Sequence, residues 1–133
     1  MLPRANAGLK ILLVDDDPLV SRAMQKLLQW EGYQARVVAN GWDALDLLHI
    51  GFRPALIVLR LTEQAMSGLT LRRQAEGWTL EDEGGTTPWL TSIPLVMVSA
   101  KVDTTAPAPC QVANPVEARA LLDEVQNRCR TEN

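Results

Sequence analysis

Short unbroken apolar runs recur along the chain, and stretches with helical spacing separate them. "KILLV" (10–14), "QARVV" (34–38), "ALIVL" (55–59), "PLVMVSA" (94–100) and "QVA" (111–113) read as strands, the longer ones apolar on both faces. After the first run, Asp17 supplies a capping carboxylate and Pro18 a first helical residue; Val20, Met24, Leu27 and Leu28 then repeat at helical spacing until Gly32 stops them. Asn40 caps a second helix with Ala44, Leu45 and Leu48 inward and Gly51 as its stop. "GLTLRRQAEG" (68–77) predicts a short third helix, and Asn114–Pro115 opens a last one with Ala118, Leu121, Leu122 and Val125 on one face.

Strands alternating with helices are the pattern of a parallel-sheet α/β domain. Two segments break the rhythm. Residues 78–93 form a long connection carrying Trp78, Trp89 and a Gly-Gly pair. Residues 101–110 stand where a helix belongs, but their prolines and paired threonines predict that it is shortened or absent. Trp30 and Trp42 are expected to lie half-buried on the first two helices.

The chain has 133 residues, enough for one domain with a core. We expect an extension over 1–9, the domain over 10–128 and a tail over 129–133, with no linker to a second domain. A net charge of −3 argues against direct nucleic-acid contact. No apolar run approaches the roughly eighteen residues that span a bilayer, and "MLPRANAGLK" lacks the apolar core of a signal peptide. Cys110 and Cys129 form no CxxC pair and have no His cluster nearby, so they read as reduced structural thiols of a cytoplasmic protein. His49, late in a helix, is accounted for by the helix dipole.

Ligands of open parallel sheets bind at the carboxyl ends of the strands. There the first strand delivers Asp15 and Asp16, the third Arg60, the fourth Ser99 and the fifth Asn114. "ILLVDDDPLV", "GYQARVVANGWDALDLL", "RPALIVLRLTEQAMSGL", "IPLVMVSAK" and "NPVEARALLDEV" resemble, in order, the signature segments of bacterial two-component response-regulator receiver domains. The resemblance runs from Lys10 to about Arg128 and implies a flavodoxin-like, doubly wound, five-stranded parallel sheet in the order 2-1-3-4-5.

A working receiver of this kind takes a phosphoryl group on an aspartate ending the third strand, beside Mg²⁺ held by the acidic pair. Carried over by position, Asp15 and Asp16 match the pair, Ser99 the switch hydroxyl, and Met66, Ser67 and Gly68 the turn after the acceptor. Arg60 stands in place of the acceptor and Asn114 in place of the lysine. A guanidinium has no acceptor oxygen and stays charged, so it forms no acyl phosphate. Two unit charges about 4 Å apart at an effective dielectric of about 20 interact by roughly 4 kcal/mol, so Mg²⁺ binding is expected to be weak or absent, with no metal site and no cofactor. Glu63 lies beyond the strand end and is a poor replacement acceptor.

Charge balance favours an ion pair of Arg60 with Asp15 or Asp16; the alternative sends Arg60 to solvent and leaves the carboxylates hydrated. With nothing to follow, Ser99 is expected to bond locally to backbone. Trp78 and Trp89 either pack their own loop or form a surface for a partner. The resemblance further implies a cis bond before Pro115 and a homodimer contact through the fourth helix, fifth strand and last helix, a surface against which the shortened, proline-containing segment 101–110 counts.

These features predict a phosphorylation-incompetent pseudo-receiver, not an enzyme, acting through protein partners of a bacterial signalling pathway. An alternative makes it the receiver of a larger DNA-binding or enzymatic regulator. A haloacid-dehalogenase-type phosphatase built on Asp15 and Asp17 is disfavoured by Leu19 and by the missing lysine and second acidic pair. A flavin-binding module is disfavoured by the acidic first loop, which would repel phosphate.

Overall fold

The computed structural model describes residues 8–75, 77–98 and 111–112. Expectations for Ser99, Asn114, the cysteines, the segment 101–110, the last helix and most of the N-terminal extension lie outside these residues. The elements in chain order are β1 (Lys10–Val14), α1 (Pro18–Trp30), β2 (Gln34–Val38), α2 (Gly41–His49), β3 (Leu56–Arg60), β4 (Leu69–Gln74), β5 (Gly77–Asp82), a 3-10 turn (Pro88–Ser92), β6 (Leu95–Val98) and β7 (Gln111–Val112).

Five strands form one parallel sheet in the order β2-β1-β3-β6-β7. Counted along that sheet this is the order 2-1-3-4-5, the flavodoxin-like arrangement. Alternation along the strands divides the core. Ile11, Leu13, Leu56, Val58, Val96 and Val98 face Met24 and Leu28 of α1. Leu12, Val14, Ile57, Leu59, Leu95 and Met97 face the opposite way, against Ala44, Leu45 and Leu48 of α2.

Both helices start as their caps dictate. Asp17 Oδ1 accepts from the amides of Leu19 and Val20, and Asn40 Oδ1 accepts from the Asp43 amide. Gly32 and Gly51 follow the helix ends with φ of 98° and 113°, conformations that favour glycine.

The segment 68–77 corrects the sequence reading: it is not a helix. β4 and β5 pair antiparallel, with Leu71 opposite Leu80 and Arg72 opposite Thr79. Leu69 and Leu80 are buried and Leu71 packs against them, under α2's side of the sheet, while Thr70, Arg72 and Gln74 face outward. Alternation with period two holds this hairpin, and burying its apolar face outweighs the helix propensity of Leu, Arg and Gln.

The tryptophans divide differently from the expectation. Trp30 is 80% exposed, so it does not pack on the core. Trp42 is 55% exposed and leans on Gly68. Trp78 and Trp89 are the partly buried pair, packed against the second core cluster. Arg53 lies 4.0 Å from the Trp89 ring centre and Arg73 lies 5.8 Å from that of Trp78, so each indole is also covered by a cation.

Candidate functional site

The carboxyl end of the sheet is where β1 and β3 deliver charge. The amide of Asp15 bonds Val38 O at 3.0 Å and that of Leu61 bonds Val98 O at 2.7 Å, so the ladders continue one residue past β1 and β3. Asp15 and Asp16 therefore leave the sheet beside Arg60, the last residue of β3, which is only 9% exposed.

Arg60 Nη1 stands 3.7 Å from Asp15 Oδ2, and Arg60 Nε stands 4.0 Å from Asp16 Oδ1. Both separations exceed hydrogen-bond length, so the attraction is ionic without a direct hydrogen bond. Arg60 Nη1 is buried and has no hydrogen-bond partner among the described residues. Asp15 is better satisfied: its Oδ1 accepts the amide of Asp17 at 2.9 Å. Burial pushes the Asp15 carboxyl above the usual carboxylate range, while the Asp17 amide and the Arg60 guanidinium pull it back.

Of the residues singled out from sequence, the structure thus brings together Asp15, Asp16 and Arg60. Glu63 is exposed in the loop beyond β3. In the turn after the strand, Gly68 takes a φ of 87°, and Ser67 Oγ donates to Glu63 O. His49 Nε2 lies 3.3 Å from Thr87 Oγ1, joining α2 to the 3-10 turn.

Mg²⁺ requires near-octahedral oxygen ligation. Here two carboxylates face a guanidinium fixed within 3.7 Å of one and 4.0 Å of the other. Among the described residues no group of three or more His, Cys, Asp or Glu converges for a metal. This donor set does not fit the ion. Arg60 also brings no carboxylate oxygen on which an acyl phosphate could form at this strand end.

Sequence reasoning missed a second feature at the same edge. Asp16, Ala39, Asn40, Trp42, Gln64 and Ser67 line an open cavity of about 410 Å³ beside the crevice. Its signal was the position of Trp42, in the first turn of the helix that starts at this edge of the sheet. No helix among the described residues is long and apolar enough to cross a membrane.

No protein-family model matches the chain. Among curated proteins it is 30% identical over 128 residues to the DNA-binding response regulator MtrA of Mycolicibacterium smegmatis, covering 91% of this chain and 50% of that protein. The chain therefore spans about half the length of this relative. Among solved structures, the receiver domain of the Francisella response regulator 1452 superposes with a TM-score of 0.69 at 14% identity, covering 95% of this chain and 100% of that one. A response regulator receiver protein from Burkholderia phymatum gives 0.67 at 20% identity, covering 91% and 94%. A parallel sheet in this strand order, with an acidic pair where β1 ends and sequence similarity over nine-tenths of its length, places the chain in the response-regulator receiver-domain family.

Proposed function

We propose that this receiver signals without phosphorylation at the end of β3. The observation that carries the reading is Arg60, buried at the acceptor position and paired with the two carboxylates that would otherwise hold Mg²⁺. Its cation balances the acidic pair from within the chain. The crevice is then held in one charge state, and the domain acts as a protein-binding module of a cytoplasmic two-component pathway without catalysing a reaction. Asn114 fits this reading, since there is no acyl phosphate for a lysine to pair with.

The test is incubation with acetyl phosphate and Mg²⁺, followed by intact mass measurement. Unmodified protein is expected, and a stable adduct of one phosphoryl mass overturns the reading. The double variant Arg60→Asp, Asn114→Lys serves as the control in which the adduct is expected.

A second reading makes the chain the receiver part of a longer DNA-binding regulator. It is supported by the length of the MtrA relative, about twice the matched span. The mass of the native product in the source cell decides it: a product of 14.7 kDa removes this reading.

A further inference from the structure

Two glycines hold Trp42 in a fixed position at the edge of the crevice. A Cβ on Gly68 would meet Cδ2, Cε3 and Cε2 of Trp42 at 2.8, 2.9 and 3.1 Å, nearly equal distances that mark the flat face of the indole. One face of Trp42 therefore rests on the Gly68 backbone. At Gly41, next in chain, a Cβ would meet Ser67 O at 2.1 Å, so the start of α2 is pressed onto the same loop. Trp42 is still 55% exposed, so the indole is seated on the loop yet open to solvent.

Asp16, Gln64 and Ser67 line the same cavity, and among the described residues no basic one lines it. Asp16 is incompletely neutralised, because its ion pair to Arg60 Nε is stretched to 4.0 Å. The partial positive charge at the start of α2 opposes a cation, but Asp43 in the first turn offsets it.

A fixed aromatic face next to a carboxylate is the geometry that takes a planar cation: the guanidinium stacks on the ring while its N–H groups reach the carboxylate. Gln64 Oε1 and Ser67 Oγ supply further acceptors. We propose that the Trp42–Asp16 cavity is a docking site for an arginine side chain of a protein partner. Its volume of about 410 Å³ leaves room for the flanking backbone of that partner. The site is independent of whether Arg60 blocks phosphorylation.

The test uses the full chain, labelled with ¹⁵N, and follows the Trp42 indole N–H resonance, assigned by its loss in Trp42→Leu. The chain is titrated at constant ionic strength with N-acetyl-arginine methylamide, and in parallel with the lysine and norleucine analogues and with MgCl₂. A saturable shift with the arginine compound is expected, weakened about tenfold in Asp16→Asn by loss of a charge-assisted bond. Gln64→Ala, an exposed loop substitution, is expected to weaken it severalfold. An equal response to lysine, a shift with norleucine, a shift with Mg²⁺ alone, or affinity unchanged in both Asp16→Asn and Gln64→Ala overturns the proposal.

Discussion

The side chains of Arg60 and Asp15 are buried to nearly the same degree, 10% and 11% exposed, and face each other 3.7 Å apart at the ends of two adjacent parallel strands. The pair lies at the rim of the sheet, so its contribution falls between that of an exposed pair and that of a fully buried one. Arg60→Met leaves two adjacent carboxylates without their cation, and it should destabilise the domain at neutral pH by roughly 1–3 kcal/mol. Urea unfolding at pH 7 measures it, and an unchanged midpoint would show that Arg60 contributes nothing there.

The pH dependence has a defined sign. Burial raises the Asp15 carboxyl above 3.8, so between that value and its folded pKa the native state binds more protons than the unfolded chain. The Asp15 contribution therefore favours folding most at low pH and declines as pH rises through the folded pKa. Removing Arg60 should raise the Asp15 carboxyl further, and a carboxyl ¹³C titration of the wild type and Arg60→Met reads this directly.

Asp82 behaves in the opposite sense. The Thr86 hydroxyl and the Thr87 amide hold its carboxyl below 3.8, so its contribution is present above that value and is lost as pH falls through the folded pKa. Thr86→Val should move the Asp82 titration back toward the ordinary carboxylate value in the same experiment.

Arg60→Asp should turn the crevice from a cation-balanced site into one with three carboxylates, and so create Mg²⁺ affinity. Isothermal titration is expected to show binding in this variant at least about tenfold tighter than in the wild type. Equal affinities would mean that Arg60 does not control the metal site.

Leu80 is 1% exposed on the inward face of the hairpin, whereas Thr70 on the neighbouring strand faces outward. Leu80→Ala should cost about 2–5 kcal/mol and Thr70→Ala less than about 0.5 kcal/mol. Denaturant unfolding of the two variants separates a strand pair from any arrangement that buries both positions.

Much of this architecture was legible because local and long-range preferences agree. Asp17–Pro18 and Asn40 cap the helices they were expected to cap, and "KILLV" and "QARVV" are strands over the residues read from sequence. The hairpin was not legible from propensity, since Leu, Arg, Gln and Ala all favour helix. Its signal was the alternation of Leu69 with Leu71 and of Trp78 with Leu80, which a helical reading of 68–77 cuts in two. At the site, sequence placed Asp15, Asp16 and Arg60 on neighbouring strand ends. It gave no sign that Gly68 would hold Trp42 at the rim, because that contact joins segments whose spacing follows no motif.

A metal ion can be chelated, diluted or exchanged, and a site that uses one is as full as its surroundings allow. The guanidinium of Arg60 is carried by the backbone of β3 and cannot diffuse away. Its local concentration is set at synthesis and stays the same at every ionic composition. Chelating or exchanging dissolved metal therefore leaves this cation in place, and displacing it requires moving the Arg60 side chain.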